Sequence, residues 1–294
     1  MSVNISNVFT QQYDSTVKLL LQENGSKLAP YVMSGSHVGK QASPVNQIGS
    51  VTMRQVTSRF APKVRADASY ARRWVQPADF TLDQALDSWD VLKTIVDPKG
   101  AYAQNAMMAA NRQKDLTLIT AALGVSVTGE QGGSTESFDT TNYSIAANFG
   151  GAPSGLTVVK LIEARQKWRT ANVDLEADPM TIVIAPKQEA NLLNQVEVVS
   201  TDFNDRPVLV DGRVTRFLGF NIVVSNQLTL SSTSRYCIAF VKSGLYLGVW
   251  DDVKSDAHQR FDLEGNPWEL TTTMSIGATR LEQGRILRVI ASEA

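Results

Sequence analysis

Residues Gly155–Leu193, "GLTVVKLIEARQKWRTANVDLEADPMTIVIAPKQEANLL", hold a helix, a connection, a strand and a second helix in one pass. Val158, Leu161, Ile162, Arg165 and Trp168 recur at three- and four-residue steps and predict an amphipathic helix over about 156–171. "MTIVIA", from Met180, is a continuous β-branched run and predicts a buried strand. Pro186 then opens a short helix, "PKQEANLLNQV", at the position where a missing N–H costs nothing. Downstream, "STDFNDRPVLVDG" reads as extended. In "GRVTRFLGFNIVVSNQL" (Gly212–Leu228), Leu218, Phe220, Ile222 and Val224 share one face of a strand, with Gly219 permitting a bend or bulge. "RYCIAFV" and "LYLGVW" add strands, and "WELTTTMSIGATRLEQGRILRVIA" is expected to close the chain as a hairpin. The second half is therefore mixed α/β.

The first half is different in kind. Residues 1 to about 30 read as an arm with one short helix, whose apolar face is Phe9, Tyr13, Val17, Leu20 and Leu21. A Gly- and Ser-rich stretch over 34–50 ends it. Residues 51–80 mix β-branched, aromatic and arginine residues, broken by Pro62, and predict a long hairpin. A two-stranded ribbon is marginal in water, so it is expected to lie against something else. Asp79, Asp83, Asp87 and Asp90 follow in an acidic stretch with Leu82, Leu86 and Trp89, read as a short helix. "VDPKGAYAQNAMMAANRQKDLTLITAALG" (Val96–Gly124) predicts a long helix capped by Asp97, with Pro98 in its first turn and Gly124 past its end. Its expected stripe is Tyr102, Ala106, Ala109, Gln113, Leu116, Thr120 and Leu123, and about 25 residues at about 1.5 Å each give nearly 40 Å. Residues 124–154 are Gly, Ser and Thr rich and read as a long surface loop or weak hairpin.

Composition limits the function. Lys and Arg number 28 against 29 Asp and Glu, so no overall field holds the chain to nucleic acid, and self-association is unopposed. The single cysteine, Cys237, rules out an internal disulfide, points to a reducing compartment and sits in an apolar strand. No run approaches the roughly 18 apolar residues of a membrane span, and the first twenty residues do not resemble a secretory signal. The glycosylation sequons at Asn4, Asn24 and Asn142 are read as incidental. His37 and His258 lack partners at metal-ligand spacing and read as solvated. "GSHVGK", Gly35–Lys40, falls one residue short of a phosphate loop and continues with Gln41 where a hydroxyl belongs. No Gly-x-Ser-x-Gly elbow is present, and Asp251 and Asp252 read as ordinary surface acids. Catalytic, cofactor and metal residues are accordingly assigned to none.

One charged constellation remains. Arg54, Arg59, Lys63, Arg65, Arg72 and Arg73 oppose a lone Asp67 along the hairpin, interleaved with Phe60, Tyr70 and Trp74. Such a ribbon could track a phosphate backbone, could be a solvated strand face, or could meet the acidic stretch Asp79, Asp83, Asp87 and Asp90 on another copy. The third reading is preferred because the ribbon cannot stand alone.

Taken in order, an arm, a long basic hairpin, a long capped helix, a mixed α/β region and a terminal hairpin resemble the major capsid protein of tailed phages, the Hong Kong 97-type fold. The resemblance rests mostly on Gly155–Leu193 and on "DGRVTRFLGFNIVVSNQL", with "LGVWDDVKSDAHQRFDLEGNPWELTTTMSIGATRLEQGRILRVI" looking like the return to the first domain. It implies an α+β fold with an N-arm over 1–38, an extended β-hairpin called the E-loop over 39–80, and a P-domain over 81–154 with its spine helix at about 98–123. An A-domain over 155–247 and a return to the P-domain over 248–294 would follow. It also implies E-loop contacts between subunits and a loop near the capsomer centre carrying Asp205, Arg206, Asp211 and Arg213. The implied partners are further copies in hexamers and pentamers, a portal protein and double-stranded DNA held non-specifically, with no membrane. The expected location is the virion capsid, assembled in the host bacterial cytoplasm. No charged heptad stretch precedes residue 30, so a separate scaffolding protein is expected. Lys40 and Lys63 lie in or near the hairpin, but no covalent lysine–asparagine link is assigned to them. The alternatives are an encapsulin-like shell on the same fold and a monomeric α/β enzyme or binding module.

Overall fold

The computed structural model describes residues 25–39, 42–60, 62–86, 99–195, 209–210 and 213–293. In chain order the first strands are β1 (Met33–Ser36), β2 (Ser43–Ile48), β3 (Tyr70–Val75) and β4 (Ala78–Leu86), followed by helix α1 (Lys99–Leu123). Next come β5 (Ser126–Thr128), β6 (Ser134–Glu136), β7 (Ser144–Ile145), α2 (Val158–Thr170), β8 (Met180–Ile184) and α3 (Pro186–Leu193). The chain continues through β9 (Leu209–Val210), β10 (Arg213–Val214), β11 (Arg216–Phe217), β12 (Phe220–Val224), β13 (Leu230–Ser231) and β14 (Ser234–Val241). The last strands are β15 (Leu245–Gln259), β16 (Trp268–Arg280) and β17 (Ile286–Ser292). There are two compact units: Ser26–Ala78 with Gln113–Trp250 and Ile276–Ala294, and Met1–Gly25 with Asp79–Arg112 and Asp251–Ser275.

The larger unit is organised around a mixed sheet in the order β11-β12-β8-β14-β17-β7. β8 runs parallel to β12, from Met180 opposite Phe220 to Ile184 opposite Val224, and antiparallel to β14. All five β8 residues are buried, because apolar groups cover both faces of the sheet; hence its unbroken apolar run. On one face Leu161, Ala164 and Trp168 of α2 pack against Ile182, Ile184, Phe220 and Cys237, with the Trp168 and Phe220 rings 5.8 Å apart. On the other, Leu118, Ile119 and Ala122 of α1 pack against Val183, Val223, Ile238 and Phe240, together with Leu28 and Val32. In this unit β1 pairs in parallel with the start of β15, Met33 opposite Tyr246 through Ser36 opposite Val249. Gly35 is required there, because a Cβ would collide with the Tyr246 hydroxyl. A four-stranded sheet in the order β2-β3-β5-β6 completes the unit.

Several sequence expectations are corrected. In α2 the inward residues are Lys160, Leu161, Ala164 and Trp168, while Ile162 is exposed. Lys160 turns inward because its ammonium finds three carbonyls, Ser154 O and Gly155 O at 2.8 Å and Ile290 O at 3.1 Å, so all three protons are donated. The buried residues of α1 are Ala106, Ala110, Asp115, Leu118, Ile119 and Ala122; Leu116 and Thr120 of the expected stripe are exposed. Asp115 faces inward because its carboxylate accepts Ser26 Oγ at 2.6 Å, Lys27 N at 3.0 Å and Leu28 N at 3.1 Å. Asp97 and Pro98 lie outside the described residues. Phe220 begins a new strand after Phe217: Leu218 and Gly219, at φ 50° and 86°, form the two-residue turn of a β11–β12 hairpin, where both central residues need positive φ.

The expected terminal hairpin does not exist. β17 instead pairs with β14 over seven positions, Ser234 opposite Ser292 through Phe240 opposite Ile286, since only a central place in the sheet covers both its faces. In the smaller unit β15, β16 and β4 are hydrogen-bonded neighbours in that order. β4 replaces the expected acidic helix over 78–86: Phe80, Leu82 and Gln84 are half-buried while Asp79, Thr81, Asp83 and Ala85 are exposed, a period of two.

Candidate assembly surfaces

The ribbon grows from β2 and β3, paired antiparallel from Ser43 opposite Val75 to Ile48 opposite Tyr70. One more backbone bond, Gly49 N to Ser69 O at 2.7 Å, closes the ladder. Beyond it the described residues 50–60 and 62–69 form no strand, and nearly all are exposed. Met53 and Phe60 stand at 103% relative exposure, and Val51, Val56 and Val64 are exposed as well. Phe60 has φ 59°, strained for an aromatic residue and placed where the chain turns back.

The six predicted cations divide here. Arg54, Arg59, Lys63 and Arg65 are exposed along the distal part. Arg72 and Arg73, on β3, are tied down. Arg72 donates Nε to Asn46 Oδ1 at 2.8 Å and Nη1 to Glu130 O at 2.9 Å, with its guanidinium 5.7 Å from the Trp74 ring centre. Arg73 donates Nε to Leu281 O at 2.8 Å and forms an ion pair with Glu136. A groove of about 890 Å³ opens beside them, lined by Asn46, Ile48, Tyr70, Thr128 and Glu136 among others.

Of the acidic candidates, Asp79 and Asp83 share the exposed face of β4, and Thr81 donates its hydroxyl to Asp83 at 3.2 Å. Asp87 and Asp90 lie outside the described residues, as do Asp205, Arg206 and Asp211. Arg213 begins β10, which pairs with β9 through Arg213 opposite Val210.

A second surface, missed in the sequence, is the turn between β15 and β16. Arg260 clamps it: Nε reaches Asp262 Oδ1 at 2.7 Å, Nη2 reaches Oδ2 at 2.5 Å and Nη1 reaches Glu269 at 2.8 Å. The Arg260 guanidinium holds the Asp262 carboxyl down to about 2. The clamp fixes a turn that displays Phe261, 78% exposed, and Leu263 between Asp262 and Glu264. The alternation "FDLE" was the available signal.

Burial pushes the Cys237 thiol up to about 12, the opposite of an activated nucleophile. Asp178 accepts the Ser243 N–H at 3.1 Å and its hydroxyl, but the neighbouring cation is Arg285, which cannot act as a base. Among the described residues no group of three His, Cys, Asp or Glu could hold a metal, and no helix is long and apolar enough to cross a membrane. His37 is not simply solvated: its ring meets the Tyr246 hydroxyl at 2.9 Å and lies 4.9 Å from the Trp250 ring.

The arrangement is a packed α/β body carrying a ribbon whose described distal residues are nearly all exposed. The chain belongs to the phage capsid protein family, which it matches over residues 5–293. Its fold is that of solved capsids. The capsid structure of the cyanophage P-SCSP1u is 15% identical, with a TM-score of 0.74 over 100% of this chain and 96% of that one. The cyanophage Pam1 capsid is 9% identical, with a TM-score of 0.73 over 98% of each chain. The capsid of the native GTA particle is 9% identical, with a TM-score of 0.71 over 99% of this chain and 97% of that one. No curated protein matches the sequence. The protein is thus a structural major capsid protein of Hong Kong 97-type fold, a component of the virion; the encapsulin alternative is not favoured.

Proposed function

We propose that this chain forms the hexamers and pentamers of a shell around double-stranded DNA, with the ribbon of each copy lying across the next. The observation that carries this is the exposed distal ribbon, where Met53, Val56, Phe60 and Val64 alternate with Arg54, Arg59, Lys63 and Arg65. Apolar groups so exposed gain by burial against a neighbour, and the cations select an acidic one. Asp79 and Asp83, with Asp87 and Asp90 on the same stretch, are the proposed acidic partners, and the clamped "FDLE" turn offers a second site of complementary pattern. Arg72 and Arg73 serve the same contact from the ribbon's root. The segment bearing Asp205, Arg206, Asp211 and Arg213 converges at the capsomer centre.

In the family's terms, residues 1–38 form the N-arm, 39–80 the E-loop, 81–154 the P-domain with α1 as spine, 155–247 the A-domain, and 248–294 the return to the P-domain. A separate scaffolding protein, a portal protein and non-specifically held DNA complete the partners, with assembly in the host bacterial cytoplasm and no enzymatic activity.

Negative-stain electron microscopy of the expressed protein tests this, with absorbance at 260 and 280 nm on particles from infected cells. Closed shells or capsomer rings are expected, carrying a nucleic-acid spectrum. A monomer by light scattering that stays monomeric when scaffolding protein is supplied would overturn it.

A further inference from the structure

We infer that Glu136 is a positioning residue that aims the ribbon, by fixing the root strand β3 against the C-terminal end of α1. The inference rests on the reading of the ribbon as an inter-subunit contact. The β-ladder alone holds the root weakly: β3 meets β5 at only two positions, Arg73 opposite Thr128 and Trp74 opposite Val127. Side chains supply the remaining constraint, and they converge on Glu136, at the end of β6.

The Glu136 carboxylate pairs with Arg73 of β3 and accepts Nε2 of Gln283. Its backbone carbonyl accepts Nη2 of Arg280 at 3.1 Å. Arg280, 1% exposed, also donates Nη1 to Ala122 O at 3.0 Å and to Gly124 O at 2.8 Å, carbonyls at the end of α1. A buried cation at a helix C-terminus meets both the unpaired carbonyls and the negative end of the dipole. Arg73 meanwhile donates Nε to Leu281 O, the residue after Arg280. The Glu136 carboxylate thus joins the ribbon root to the 280–283 turn, the Glu136 backbone carbonyl joins that turn's Arg280 and the helix end to the same residue, and none of these bonds involves the distal ribbon.

Geometry makes the bracket matter. Phe60 lies thirteen residues from Arg73, an arm of about 40 Å if extended at about 3.3 Å per residue. A rotation of about 5° at the root would carry the tip by about 3.5 Å, most of the roughly 4 Å reach of an apolar contact. An unaimed ribbon would search for its site on the next copy and lose orientational entropy on docking.

The test uses the full chain with spin labels at Val56→Cys and Thr120→Cys; native Cys237 is buried and does not compete. The distance distribution between the labels reads the aim directly, without any assembly. Glu136→Gln keeps shape and removes charge: the distribution is expected to broaden to about twice its width while the labelled protein still unfolds in one cooperative transition, and assembly to slow about tenfold. Glu136→Asp, which keeps the charge, is expected to recover part of both effects. An unchanged distribution in folded Glu136→Gln overturns the inference; if that variant does not fold, Arg73→Gln gives the same reading from the other side of the pair. If the labels report loss of aim while neither wild type nor variant assembles, the bracket stands and the reading of the ribbon as an inter-subunit contact fails.

Discussion

Strand β8 and the distal ribbon are both rich in apolar residues, and their fates are opposite. Ile182, Val183 and Ile184 are at most 1% exposed, whereas Met53 and Phe60 are exposed as fully as in an extended chain. β8 is covered on both faces by its own molecule. The ribbon has no such cover, so its exposed apolar groups add little to the stability of one copy. On the proposed reading of the ribbon as an inter-subunit contact, stability and assembly are written in different residues of one chain.

The sharpest way to break this comparison is to truncate one phenylalanine on each side. Phe220→Ala is expected to cost about 3–5 kcal/mol in urea denaturation of the unassembled protein, from lost burial and the cavity left beside Trp168. Phe60→Ala is expected to change that value by less than about 0.5 kcal/mol, while sucrose-gradient sedimentation shows loss of most particles. Equal destabilisation by the two would refute the division. Next in size, Lys160→Met strips the carbonyls of Ser154, Gly155 and Ile290 of their donor in a buried site. It is expected to lose about 3 kcal/mol and to speed hydrogen exchange in β17 more than in β3.

A subtler separation comes from acid. Burial raises the Glu136 carboxyl, but hydrogen bonds from Arg73 and Gln283 and the charges of Arg73 and Arg280 outweigh it and leave it below its ordinary 4.5. Such a depressed carboxylate contributes stability above pH 4.5 that is lost as pH falls through the lowered value. Hydrogen exchange at residues 70–75, corrected for its intrinsic pH dependence, is therefore expected to rise in that window in wild type and to be elevated already at neutral pH in Glu136→Gln. An unchanged protection profile would remove Glu136 from the ribbon's root. The smallest expected signal is chemical: the Cys237 thiol, pushed up to about 12, should stay unlabelled by iodoacetamide at pH 8 until the protein is denatured.

What the sequence revealed follows the same division. β8 and α3 were legible because a continuous β-branched run and a proline at a helix start each have a single local cause. The length of α1 was legible, but its buried face was not, because apolar residues surround it and a distant partner of Asp115, Ser26, decides the rotation. The stretch 78–86 carries apolar residues compatible with either period, and pairing within a sheet chose the strand. The terminal hairpin failed because β17 is claimed by β14, a strand some fifty residues upstream that local pattern cannot name. For the ribbon, charge was visible, but the separation of Arg72 and Arg73 from the distal cations depends on Glu130, Glu136 and Leu281, all remote in sequence.

The interior position of β17 also sets a clock. β7, at Ser144–Ile145, pairs with Arg288 and Val289, and β14 pairs with the same strand on its other edge. At a synthesis rate of about 5–20 residues per second, a nascent β7 waits roughly 7–30 s for its partner. Until residues 286–292 leave the ribosome, the sheet is open along the edges of β7 and β14, and the turn bearing Arg280 and Gln283 has only just been made. The ribbon is synthesised early but is aimed late.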